Sequence, residues 1–143
     1  MYTRYFALVA GIAFIVIGFL GFVPGLTMMP DAGSPPLAVN AAHGRLFGLF
    51  PVNALHNLVH IALGVWGLVA YAQGTARTFA RGTAIIYGLL TVMGLIPALN
   101  TTFGFVPIYG HDVWLHGLIA VVAAYFGWAP EPVGATRTAR VRA

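Results

Sequence analysis

Four long apolar segments constrain the fold of this chain more than any other feature. They cover residues 5–23, 53–72, 82–98 and 112–128, and Gly, Pro, Asn or Arg bound each of them. At a rise of about 1.5 Å per residue, stretches of about 17 to 20 residues can cross a hydrocarbon core roughly 30 Å thick. The sequence therefore predicts an all-α membrane protein, a bundle of four transmembrane helices formed by residues 1–130.

Composition and charge agree with a membrane location. Hydrophobic residues make up 59% of the 143 residues and charged residues only 7%, proportions that do not suit a soluble domain. The net charge is +4, and basic residues of membrane proteins concentrate in cytoplasmic segments. Neither feature requires a nucleic acid, so none is expected as a partner. The expected partners are the lipid bilayer and a second copy of the chain or a larger membrane complex.

Arginine positions predict the orientation of the helices. The chain has seven arginines and no lysine, and only Arg45 falls on the side opposite to the other six. Both termini are therefore predicted to be cytoplasmic, with residues 131–143 as a basic cytoplasmic tail beside anionic headgroups. The other six are Arg4, Arg77, Arg81, Arg137, Arg140 and Arg142.

An internal repeat relates the second and fourth apolar segments. A Phe-Gly-x-x-Pro pattern leading to a histidine begins at Phe47 and again at Phe103, with identical internal spacing. In this register His60 corresponds to His116, and His56 to Asp112. The chain is thus predicted to contain two tandem helix-loop-helix repeats related by an axis along the membrane normal.

The repeat places ionisable side chains at the extracytoplasmic end of the bundle. His56 and His60 lie one helical turn apart, as do Asp112 and His116, so each pair shares one helix face. Ionisable groups at membrane depth are costly and are usually retained for a function. The small residues Gly64 and Gly67 continue the face of His60, which indicates a helix contact. We therefore expect the two pairs to face each other.

Three imidazoles and a carboxylate suit a transition metal such as Zn, Cu, Fe or Mn. The leading interpretation is a metal-binding membrane protein with a redox or metal-handling role. The sequence shows no nucleophile beside a base and no phosphate-binding glycine loop, so it leaves open whether the protein is an enzyme. The predicted ligands are His56, His60, His111, Asp112 and His116, and the predicted partners that fix the ring tautomers are Asn53, Asn57 and Tyr109.

Two alternatives remain at this point. His60 and His116 occupy equivalent repeat positions and are candidate axial ligands of a b-type haem in an electron-transfer protein. The other alternative is a non-catalytic structural or accessory membrane subunit, in which the histidines form a hydrogen-bond network. Asp112 would then be the N-cap of the fourth helix, as Asn53 would be of the second.

The first outer loop, residues 24–50, is longer than its counterpart at 100–110. Its second half, residues 41–50, mixes His43 and Arg45 with apolar residues, which predicts a short amphipathic helix at the membrane interface. Such a helix would cover the histidine cluster from outside.

The histidine motifs also resemble a known family. The strings at 55–60 and 64–67, and those at 103–107 and 111–116, are similar to the bacterial membrane family named domain of unknown function 4383. The resemblance extends from the first segment to Trp128, and it implies a four-span bundle in the bacterial cytoplasmic membrane and no particular activity. The family often carries Asn at the position of His111, which makes His111 the weakest predicted ligand.

Overall fold

In the part of the chain that the structure describes, apolar runs separated by helix-breaking residues form four helices, and short strands form one small sheet. The structure is a computed structural model and describes residues 2–130, so the predicted basic tail lies outside the described residues. The helices are α1 (Tyr2–Leu20), α2 (Ala54–Gln73), α3 (Ala76–Leu95) and α4 (His111–Trp128). The strands β1 (Thr27–Met28), β2 (Gly44–Leu46) and β3 (Phe50–Val52) lie between α1 and α2. The fold is therefore mostly helical rather than all-α.

Three of the helices, α1, α2 and α3, are long and apolar enough to cross a membrane. The fourth, α4, has 18 residues, and its first two turns carry His111, Asp112 and His116. These polar residues lower its apolar character, so α4 is not among the helices that meet this criterion. The described residues thus contain three candidate spans, which indicates a membrane protein.

The helices pack as two close pairs, α1 with α2 and α3 with α4. Small residues allow the first pair to touch along its backbones. A Cβ atom added to Gly11 would lie 2.9 Å from the carbonyl oxygen of Gly64, and one added to Gly67 would lie 2.9 Å from the Cα of Gly11. The prediction that Gly64 and Gly67 mark a helix contact is confirmed, but the helix that they contact is α1 and not the α4 helix that carries Asp112 and His116.

One end of the molecule, here called the arginine end, is defined by Arg4, Arg77 and Arg81. The Arg81 Nε donates to the carbonyl oxygen of Gly127 at 2.9 Å, and an Arg77 Nη donates to that of Ala129, also at 2.9 Å. Carbonyls at a helix C-terminus lack partners within the helix. The arginines of α3 therefore anchor the end of α4.

The sheet replaces the amphipathic helix predicted for residues 41–50, and that prediction is wrong. Strands β2 and β3 pair antiparallel, with Leu46 opposite Phe50, and β1 pairs with the other edge of β2. Between β2 and β3 the backbone is left-handed at two successive residues, Phe47 (φ 55°) and Gly48 (φ 72°), a conformation that a right-handed helix excludes. The same left-handed pair occurs in the other loop at Phe103 (φ 60°) and Gly104 (φ 89°).

Candidate metal centre

Asn53 fixes the start of α2, the helix that carries two of the predicted ligands. Its Oδ1 accepts a hydrogen bond from the backbone N–H of His56 at 2.9 Å, so the predicted N-cap is confirmed. Its Nδ2 donates to the carbonyl oxygens of Val39 at 2.8 Å and Phe105 at 2.7 Å. Asn53 therefore joins both outer loops to α2. All its polar atoms are used by the backbone, and it positions the helix rather than an imidazole ring.

The structure brings together three of the five predicted metal ligands. His56, His60 and His116 are all buried, and each offers a ring nitrogen that lies within 4.8 Å of those of the other two. The rings of His56 and His60 stack with centroids 4.6 Å apart, and those of His56 and His116 meet edge to face at 6.0 Å. The end of the molecule that contains them is here called the histidine end.

Backbone carbonyls determine the tautomers of the two α2 histidines. The Nδ1 of His56 lies 3.2 Å from the carbonyl oxygen of Pro51, and the Nδ1 of His60 lies 3.1 Å from that of His56. Since a carbonyl oxygen only accepts hydrogen bonds, each Nδ1 must carry the proton. The lone pair of both rings is therefore on Nε2, which is the nitrogen left to bind a ligand.

His116 has a different arrangement, with a carboxylate behind its ring. The Oδ2 of Asp112 lies 3.5 Å from the Nε2 of His116, and both side chains are buried. Within the described part of the chain, the Nδ1 of His116 has no hydrogen-bond partner. The Oδ2 of Asp112 likewise has no hydrogen-bond partner among the described residues, so Asp112 is a close polar neighbour of the Nε2 side of the ring, and Nδ1 is the nitrogen on the other side.

Asp112 is not the N-cap of α4. The helix begins at His111, Gly110 precedes it, and no side chain among the described residues caps it. The N-cap interpretation is thus wrong. The side chain of Asp112 lies instead in the first turn of α4, where it is buried.

Two aromatic residues at the site have no distinguishing sequence signal. Phe14 stacks on Tyr87 with centroids 5.4 Å apart and contacts His60 at 5.9 Å, and Tyr87 meets His116 edge to face at 4.8 Å. With His56, these rings form a closed circle to which all four helices contribute. Phe14 and Tyr87 each sit in an apolar helix, where sequence alone does not separate a core position from a lipid-facing one.

The remaining predicted residues each have different surroundings. His111 is exposed at the start of α4, Asn57 packs against Gly21, and the buried Tyr109 hydroxyl has no hydrogen-bond partner among the described residues. His43 is half-buried in the outer loop, and this burial lowers the pKa of its imidazole.

Two cavities flank the histidine cluster. One of about 110 Å³ is lined by His56, His60 and Asp112, and strand residues including Leu46 and Val52 cover it. The loop therefore covers the cluster as predicted, although with strands instead of a helix. The other, of about 350 Å³, is lined by His56, His60 and His116 together with apolar residues of α2, α3 and the second loop.

Comparison with known proteins identifies the family. The profile of the family described as Domain of unknown function (DUF4383) matches residues 4–129. This match covers most of the chain, and the chain belongs to that family. No significant match was found among curated proteins or solved structures.

Proposed function

We propose that this member of the DUF4383 family is a membrane protein that binds one transition-metal ion through His56, His60 and His116. The observation that carries the proposal is the convergence of three buried imidazoles, with ring nitrogens within 4.8 Å of one another. The opposite nitrogens of the two α2 rings are held by backbone carbonyls. Such outer hydrogen bonds are typical of metal-binding histidines.

The ring positions are compatible with a metal after a small contraction. A Zn–N bond is about 2.0–2.1 Å, so three nitrogens around a tetrahedral ion lie about 3.3 Å from one another. In the structure one nitrogen from each of the three rings lies within 4.8 Å of the other two, and side-chain rotation of His56, His60 and His116 can close the difference. Asp112 then completes a carboxylate–histidine–metal arrangement behind His116.

The donor set favours particular ions and leaves one position open. Imidazole ligands suit Zn, Cu and Fe, whereas Mn prefers oxygen ligands. Asp112 lies beside the His116 ring and is not one of the three residues whose ligand atoms converge. Three protein ligands with an open fourth position are typical of metal sites that exchange a ligand. This supports a redox or metal-handling role over a purely structural metal.

Geometry favours a single ion over the haem alternative. A haem held by His60 and His116 would lie between their rings. The His56 ring lies 4.6 Å from that of His60 and 6.0 Å from that of His116, so it occupies the space that the macrocycle needs. The structural-network alternative is disfavoured by the His116 Nδ1, because a completed network would give this atom a partner and the described residues provide none.

The proposal includes four spans, two tandem repeats and a location in the bacterial cytoplasmic membrane with cytoplasmic termini. Support for α4 as the fourth span comes from its packing along α3. Support for the repeat comes from the left-handed Phe-Gly pairs in both loops and from the full burial of Pro51 and Pro107, which follow them. The positions of Arg77 and Arg81 support the orientation.

Elemental analysis with visible spectroscopy tests the proposal. The protein is purified in detergent, reconstituted with Zn, Cu or Fe, and compared with His60→Ala and with the matched control His111→Ala, which removes an exposed histidine outside the cluster. We expect about one ion per chain in the wild type and control and a loss in His60→Ala. A haem spectrum, or a wild type that holds none of these ions, would overturn the proposal.

A further inference from the structure

We propose that the larger cavity beside the histidine cluster admits a lipid-soluble phenol or quinol from the bilayer, with its hydroxyl oxygen at the open coordination position of the metal. This inference rests on the proposed metal site and names the class of compound that reaches it. Three features of the cavity carry it: its lining, its rim and the polar atoms at its base.

The lining is apolar except at the histidines and two hydroxyl groups. The cavity measures about 350 Å³, which lies within the usual range of small-molecule sites. Its apolar walls include Leu63, Leu90 and Ile108. The two hydroxyl groups belong to Tyr87 and Thr102. That of Thr102 is already hydrogen-bonded to the backbone of its own loop. The lining therefore fits a molecule with an apolar body and a single polar end.

The rim of the cavity faces the expected position of the lipid. Val59 and Phe105 line the cavity and are 38% and 52% exposed, and Ile86 is 37% exposed. Val59 and Ile86 belong to α2 and α3, two of the candidate spans. These helices are joined at the arginine end by Gly74 and Thr75 but pack mainly on other helices. The histidine end is thus open to an apolar molecule that enters sideways between α2 and α3.

The base of the cavity selects the polar group. The available atoms of His56 and His60 are Nε2 lone pairs, since both Nδ1–H groups are bonded to carbonyls. The Nδ1 of His116 is buried without a partner among the described residues, and this ring also lines the cavity. A hydroxyl group suits this base, because all three nitrogens bind the metal and a neutral hydroxyl oxygen can fill the coordination position that they leave open.

The aromatic rings in the cavity wall favour a ligand whose hydroxyl group is attached to an aromatic ring. Tyr87 and Phe105 both line the cavity, and aromatic rings pack favourably against one another. The smaller cavity does not compete for this ligand, because it holds only about 110 Å³ and lies under the strands. These observations together favour a phenol or quinol over an aliphatic alcohol.

Cobalt substitution provides a direct test in lipid nanodiscs, because the visible spectrum of Co²⁺ reports its ligands. The probe is 4-nonylphenol, and the comparison compounds are its methyl ether and decanoate. Val59→Trp fills the rim of the cavity, and the matched control Val65→Trp adds the same ring to an exposed position of α2 that is outside the cavity. We expect the phenol to change the wild-type spectrum, with an affinity about tenfold weaker in Val59→Trp and unchanged in Val65→Trp.

The outcomes separate this inference from the proposed function. If the wild type does not hold Co²⁺ or any other transition metal, the proposed metal site fails, and the inference fails with it. If the metal is held but the phenol leaves the spectrum unchanged, or binds Val59→Trp as tightly as the wild type, only the inference fails. A larger effect of decanoate or of the methyl ether would likewise overturn the phenol assignment.

Discussion

Replacing Asn53 removes three hydrogen bonds that join the start of α2 to both outer loops. Asn53→Ala loses the cap to the His56 N–H and the donations to Val39 and Phe105. The cap contributes about 1 kcal/mol, and each donation about 1 kcal/mol net. Because the site is fully buried, water does not replace the lost partners. The free energy of unfolding should fall by about 3 kcal/mol.

A second variant separates the cap from the loop contacts. Serine is a good N-cap residue but is too short to reach both carbonyls, so Asn53→Ser should lose about 2 kcal/mol. The matched control is Asn40→Ala, which removes one hydrogen bond from an exposed asparagine to the Leu37 carbonyl and should cost less than about 0.5 kcal/mol. Unfolding in mixed micelles by titration with a denaturing detergent measures all three.

A destabilisation of Asn53→Ala no greater than that of Asn40→Ala would show that the three hydrogen bonds of Asn53 do not anchor α2. Equal losses in Asn53→Ala and Asn53→Ser would show that the cap contributes nothing. The same samples report on the metal site, because His56 lies one helical turn after Asn53. Weaker metal binding in Asn53→Ala is therefore expected at temperatures where the variant remains folded.

Three further predictions concern the helix contacts and the carboxylate. Gly64→Ala places a Cβ atom 2.6 Å from the carbonyl oxygen of Gly11. It should lower the free energy of unfolding by about 1–3 kcal/mol in the same assay. The control Gly88→Ala, at a position with open space around it, should not lower it. Arg81→Met removes the hydrogen bond to Gly127 and should lower the free energy of unfolding by about 1 kcal/mol; no change would mean that water serves that carbonyl equally well. Asp112→Asn should weaken metal affinity about 10- to 100-fold in a chelator competition assay while the protein stays folded, and an unchanged affinity would remove Asp112 from the site.

Local sequence patterns predicted the features that depend on neighbours along the chain. Hydropathy located the helices, the spacing of Gly64 and Gly67 located a helix contact, and the position of Asn53 before an apolar run indicated the cap. The four-residue spacing placed His56 and His60 on one face of α2. These features follow from helix geometry, which a sequence reveals directly.

Features that depend on packing between distant segments were not predictable in the same way. The strands have two or three residues each, which is too few for an alternating pattern. The turn between β2 and β3 has a left-handed backbone at Phe47, and a phenylalanine does not indicate that conformation in a sequence as a glycine would. Phe14 and Tyr87 contact the histidines because of how the helices pack. The sequence does not show whether such a residue in an apolar helix is buried or faces lipid. The division of roles between Asp112 and the three histidines likewise depends on distances between α2 and α4.

X-ray absorption spectroscopy at the metal edge tests the central claim most directly, because it counts imidazole ligands around the bound ion. For the metal-loaded wild type, the account predicts three imidazole nitrogens at about 2.0–2.1 Å when the ion is zinc. In His116→Ala the count should fall to two, and in the exposed control His111→Ala it should remain three. An ion with no imidazole scattering, or a count that His116→Ala leaves unchanged, would contradict the claim that these three histidines form the metal site.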